Sequence, residues 1–185
     1  SQALSEVSYP IHHIDFETLM PALPRYPGTG PFEALPFQWS NHTERADGEV
    51  RHSAFLCDTD TDPRHRFAET LLESLGEVGS ICVYTRYESQ MITLLARVLP
   101  RLSARLLKLK TRVWDLHRII KTHYYHPDFR GSFALKRTLP VLVPGRTYAG
   151  MVVSDGMAAA HAYAETLDTP CPKRRAELRN GLLSY

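Results

Sequence analysis

Residues 9–28, YPIHHIDFETLMPALPRYPG, decide the fold. An apolar run beginning at residue 9 builds a strand through residue 17. Pro21, Pro24, Pro27, Gly28, Gly30 and Pro31 then stop regular structure. Side chains alternate along a strand, so Ile11, His13, Asp15 and Glu17 share one side. Two carboxylates about 7 Å apart on one side repel each other unless something positive lies between them. A hard divalent cation meets that need, because Mg2+ prefers oxygen ligands and keeps water on the rest of its shell. The competing reading ends the strand at Phe16 and leaves Glu17 solvated in the turn.

The rest of the chain supplies partners for this strand. PFQWSNHTERADGEVRHSAFL, residues 36–56, alternates on both sides of an Ala-Asp-Gly turn and reads as a hairpin. DTDTDP then forms a turn with a cap. RHRFAETLLESLGE carries Phe67, Leu71, Leu72 and Leu75 at helical spacing. SICVY, residues 80–84, is short, apolar and rich in β-formers, so it reads as a buried strand. ESQMITLLARVLPRLSARLLKL is helical with a break at Pro100, and TRVWDL supplies one more short strand. Beyond it SFALKRTLPVLV, DGMAAAHAYAETLD and PKRRAELRNGLLSY are helical, with a loop around HYYHPDFRGS. The order strand, hairpin, helix, strand, helix, strand, helices is an α/β layout, with antiparallel strands first and βα units after.

Composition narrows the function without choosing it. The 185 residues suffice for one compact domain with a core. A net charge of +2 argues neither for nor against nucleic acid, so any basic surface has to be local. Cys57, Cys82 and Cys171 are widely spaced and form no CxxC pair, which suits a reducing cytoplasm and disfavours a disulfide framework or zinc ribbon. No apolar run of about 18 residues is present, so no membrane span is expected. Both ends look cut from a longer chain.

Three stretches carry a resemblance. IDFET is similar to the first motif of the DnaQ-like, or DEDD, 3′–5′ exonucleases, Asp-x-Glu on the first strand. VYTRYESQMI resembles their second motif, with Thr85 where Asn is common, Tyr87 where Phe is common and Glu88 where Asp is common. GLLSY presents Tyr185 like the tyrosine of the third motif, Tyr-x-x-x-Asp, whose acid would lie four positions past the last residue. DFETLMPALPRYPGTGPFEALPFQWS and HYYHPDFRGSFALKRTLPVLVP are closer still to a bacterial family of uncharacterised domains with these motifs.

The resemblance implies a ribonuclease H-like mixed sheet of about five strands flanked by helices, as a single domain over residues 1–185. It implies two-metal hydrolysis of phosphodiesters at a DNA or RNA 3′ end, with Mg2+ or Mn2+ as cofactor. Asp15 would bridge both ions, Glu17 would hold one of them, Glu88 would act through the second ion's shell, and Tyr185 would orient the attacking water. Thr18, Ser132 and Lys136 would touch the substrate; the alternative for Lys136 is a solvated helix charge. Lacking the fourth acid, the 185-residue form is expected to be weak or inactive. Two other readings stay open: a catalytically impaired nucleic-acid-binding or interaction module, and a small-molecule phosphodiesterase.

Several residues have blander readings. Glu88 alone is a first-turn acid that suits a helix dipole. Asp115 is a supporting acid or a helix cap. His123, His126 and Asp128 lack a fourth zinc ligand and suit a packed loop. Arg97, Arg101, Arg105, Lys108, Lys110 and Arg112 read as a solvated face rather than a phosphate stripe. His12 and Trp39 read as structural.

Overall fold

The computed structural model describes residues 5–146 and 156–184. Five strands form one sheet: β1 (Ile11–Leu19), β2 (Leu35–Glu44), β3 (Val50–Leu56), β4 (Ser80–Val83) and β5 (Val113–Asp115). Their order is β3-β2-β1-β4-β5. β1 pairs antiparallel with β2 and β2 with β3, while β4 runs parallel to β1 and β5 parallel to β4. The seven helices among the described residues are α1 (Arg64–Leu75), α2 (Tyr87–Val98), α3 (Ser103–Lys110), α4 (Leu116–His123), α5 (Leu135–Leu142), α6 (Gly156–Asp168) and α7 (Pro172–Ser184). This is the ribonuclease H-like layout expected from the sequence. No helix among the described residues is long and apolar enough to cross a membrane.

Two apolar clusters pack on the sheet. On one side Ile14, Phe16, Trp39, Ile81 and Val83 meet Phe67, Leu71, Ile92, Leu95, Leu106 and Leu109 of α1, α2 and α3. The break expected at Pro100 separates α2 from α3, and both halves still bury apolar residues in this cluster. On the other side Phe37, Leu56 and Cys57 pack against Ala159 and Tyr163 of α6 and Leu182 of α7. That placement leaves the C-terminal half of β1 between two layers, with its odd-numbered side chains on the α6 side.

Polar contacts fix the connections. Arg64, 6% exposed at the start of α1, pairs with Asp62 at 2.6 Å and Glu33 at 2.8 Å, and Glu33 accepts the Gly30 backbone N–H at 2.7 Å. The Pro- and Gly-rich loop is thereby tied to α1 rather than left loose. His12 and Trp39 are structural, as expected: His12 Nδ1 lies 3.2 Å from the Asn41 amide, and the Trp39 indole N–H donates to Thr70 at 3.0 Å.

Arg112 departs from its reading as part of a solvated face. Its guanidinium donates to the carbonyl oxygens of Gly79 and Gly76 at 2.7 Å each, Leu75 at 3.0 Å, and Val78. These carbonyls end α1 and lead into β4, so one planar cation gathers the acceptors that a helix end leaves unpaired. Arg112→Ala is expected to lower stability by about 2 kcal/mol, since hydrogen bonds to a charged donor contribute about 1.5–3 kcal/mol. Arg112→Lys should recover less than half, because an ammonium cannot fan across four carbonyls. Urea unfolding of both variants measures this, and equal stability of wild type and Arg112→Ala would refute the clamp.

Candidate active site

The alternation of β1 puts Ile14 and Phe16 into the α1–α2 core and turns Asp15 and Glu17 the other way. Asp15 and Glu17 line one recess of about 260 Å3, with His13, Gln38, Ser40 and His42 beside them. Ser40 faces Asp15 across the β1–β2 ladder and Gln38 faces Glu17. The small serine keeps the space in front of Asp15 open.

The ladder then slips. Glu17 is opposite Gln38 but Thr18 is opposite Pro36, so Phe37 is an extra residue on β2. Such a bulge bends the strand and re-aims a side chain. Here it sends Phe37 to the same side as Gln38, where its ring stacks on Tyr163 of α6 with centroids 3.9 Å apart and planes 1° from parallel. The Gln38 amide donates to the Leu182 carbonyl of α7 at 2.7 Å. The bulge therefore draws α6 and α7 to the edge of the acidic recess.

α6 begins against Glu17. A Cβ added to Gly156, its first residue, would sit 3.2 Å from Glu17 Oε2. A residue without a side chain lets the backbone come this close without displacing the carboxylate, and the positive end of a helix favours a carboxylate there. Gly156→Ala is expected to push this carboxylate aside by a few tenths of an ångström and weaken any cation held at Glu17, measured as a lower Mn2+ affinity with little change in unfolding. An unchanged affinity would show that Gly156 does not set the carboxylate's position.

Glu88 comes from the opposite layer. It is in the first turn of α2, just past the end of β4, and is 5% exposed. Burial pushes its carboxyl up to about 7, its own backbone N–H opposes the shift, and the charges of Asp15 and Asp115 add to it. Its Oε2 has no hydrogen-bond partner. Asp15 retains exposed surface, yet the protein around it pushes its carboxyl above the usual range against the bond that Oδ1 accepts from the Phe16 N–H at 3.1 Å. Buried oxygens of this kind are normally satisfied, and carboxylates raised by desolvation lack a compensating cation.

Tyr87 lies among these acids. Burial raises its phenol, its bond with the Thr18 hydroxyl opposes this, and the charges of Glu17, Glu88 and Asp15 all raise it further. The sequence offers Tyr87 only as a stand-in for a motif phenylalanine; its adjacency to Glu88 is the one signal there of a place near the acids. Thr18 points from β1 toward Tyr87, and both line a groove of about 740 Å3 with Glu17, Gly156 and His161. The acids thus share one neighbourhood. Among the described residues, however, no three His, Cys, Asp or Glu side chains stand close enough to hold a metal ion.

The remaining sequence candidates fall elsewhere. Asp115 ends β5 and caps α4, its Oδ1 accepting the Arg118 N–H at 3.0 Å. His126 accepts the Asp128 N–H at 3.3 Å and closes the 3-10 turn Pro127–Phe129. Lys136 lines a separate cavity with His126, Asp128 and Arg137, and the Ser132 hydroxyl accepts the Ala134 N–H at 3.4 Å, so neither belongs to the acidic recess. Of the basic run, Lys108 pairs with Glu77 at 2.6 Å and Lys110 donates to Thr93 at 2.6 Å. Tyr185 lies outside the described residues.

A family model described as Domain of unknown function (DUF2779) matches residues 12–134. The matched segment runs from β1 to the start of α5 and contains Asp15, Glu17 and Glu88. No curated protein matches the chain. A solved structure of an ExoI/SSB-Ct complex aligns with 17% identity and a TM-score of 0.49, over 92% of this chain and 43% of that one.

Proposed function

We propose, from the premise that this chain belongs to the family described as Domain of unknown function (DUF2779), that it is the catalytic domain of a metal-dependent 3′–5′ exonuclease acting on DNA or RNA. The observation that carries the reading is Glu88: a buried carboxylate with an unpartnered oxygen, raised to about 7, in the electrostatic reach of Asp15. Its position after β4, with Asp-x-Glu on the neighbouring parallel strand β1, supports the DnaQ-like resemblance.

The donor types of Asp15, Glu17 and Glu88, all carboxylate oxygens, suit Mg2+ or Mn2+, and the three would have to draw closer than they stand here to share an ion. Two such ions, when bound, stabilise the charge on the attacking and leaving oxygens of a phosphodiester. The chain's own groups do the rest. Asp15 and Glu17 are held on one side of a rigid strand, which fixes their spacing. Glu88 gives up its proton when a cation replaces it. The Tyr87–Thr18 pair anchors the start of α2, and with it Glu88, against β1. By the resemblance, Tyr185 would orient the attacking water.

Mn2+ titration calorimetry across pH tests the reading directly. Binding must expel the Glu88 proton, so affinity should rise about tenfold per pH unit up to about 7 and level off above it. The sign follows from the raised carboxyl, which holds a proton below that value. Glu88→Gln should bind more weakly at pH 8 and lose the slope. Absence of binding at millimolar Mn2+ would reject the enzyme and leave the reading as a nucleic-acid-binding module.

A further inference from the structure

A further cavity, of about 450 Å3, opens at the β4–α2 junction. Thr85, Arg86, Asp115, His117, Arg118 and Lys121 line it. Thr85 and Arg86 lead straight into Tyr87 and Glu88, and Asp115 is close enough to Glu88 to raise it. The basic cavity and the groove lined by Tyr87 and Glu17 are therefore joined through one short segment.

The cations of this cavity line one hollow without acid partners among the described residues. Arg25, Arg64, Arg112 and Arg174 each hold acids or backbone carbonyls. The side chains of Arg86, Arg118 and Lys121 have no ion pair or hydrogen bond among the described residues. All three are exposed. The one acid, Asp115, spends its Oδ1 on the Arg118 backbone N–H. His117 is braced edge-on by Tyr84, with ring centroids 5.6 Å apart, and the Thr85 hydroxyl accepts the Tyr87 N–H at 3.2 Å. Like charges converging on one hollow repel each other at a cost that an anion would remove.

We propose that this cavity binds a backbone phosphate of single-stranded nucleic acid, away from the phosphate that is cut. The proposal rests on the exonuclease reading for its choice of anion. A strand seated there could run across the β4–α2 junction toward Glu88. Exposed aromatic side chains, Tyr124 at 44% and Tyr125 at 64%, follow just after α4 and offer stacking surfaces to unpaired bases.

The test is fluorescence anisotropy with a fluorescein-labelled single strand of about 12 nucleotides, in EDTA, over a series of NaCl concentrations. Replacing Arg86, Arg118 and Lys121 together by Ala should weaken binding about tenfold or more. It should also reduce the slope of log affinity against log salt by about 0.7, the figure for one phosphate contact on a single strand. The matched control replaces Arg97, Arg101 and Arg105 by Ala, an equal change of charge around the far end of α2, and should leave the slope nearly unchanged. Equal effects of the two triple variants, or no binding by the unmodified chain, overturn the proposal. So does displacement of the strand by inorganic phosphate at equal phosphate concentration, which would mark a site for the free anion. Because EDTA removes metal from the assay, a failed Mn2+ titration and a failed strand-binding result remain separate outcomes.

Discussion

Asp15→Asn is expected to lose metal-dependent cleavage of a 3′-labelled single strand by at least about a hundredfold, or ~3 kcal/mol of transition-state stabilisation, when assayed in a chain extended past Tyr185. The substitution keeps the shape of the side chain and removes only its charge, so the loss reports the cation and not the packing. Stability should move the other way. The Asp15 carboxyl is raised by burial, so its folded value exceeds its unfolded one. The stability tied to its proton is then present at low pH and lost as pH rises through the folded value. At neutral pH the charge is a cost, and asparagine removes it. Asp15→Asn should therefore be as stable as wild type or slightly more so in urea without metal. Activity retained in this variant would mean the site is misassigned; stability lost together with activity would mean Asp15 holds the fold instead.

The parts of this site that could be read from the sequence are those that depend on local period. Alternation along residues 11–17 puts Asp15 and Glu17 on one side, and SICVY reads as a buried strand followed by Glu88; that this strand pairs with β1 comes from the structure. The Pro100 break was legible because proline cannot continue a helix. What stayed hidden depends on contacts between distant residues. No local pattern marks Phe37 as the extra residue of a bulge, since the slip exists only relative to β1. Arg112 sits in a run of cations and differs from them only in having four carbonyls in reach. The resemblance implies substrate contact for Lys136 and Ser132 but not where their segment sits relative to the acidic recess. The loop before them folds on Phe129, which is 0% exposed and ringed by Tyr124, Tyr125, His126 and Phe133. That small aromatic cluster carries its segment to another cavity.

Phe37→Ala is expected to cost about 3–5 kcal/mol, the range for emptying a fully buried phenylalanine site. Phe37 is 0% exposed, stacked on Tyr163, and packed with Leu56, Ala159 and Leu182. These neighbours come from β3, α6 and α7, so the cavity would open where the C-terminal helices meet the sheet. Backbone rigidity around the bulge limits how far β2 can collapse into the space. Phe37→Leu keeps much of the volume and should cost clearly less. The two variants also separate local from global loss. If Phe37 is the anchor of α6 and α7, hydrogen exchange in those helices should accelerate well before exchange in α1 or α2, which belong to the other cluster. Mn2+ affinity should fall with it, because Gly156 and the Gln38–Leu182 bond lose their support beside Glu17. A cost below about 1 kcal/mol would place the anchor elsewhere, for a cavity that size could be tolerated only if α6 and α7 settled back onto the sheet without this ring.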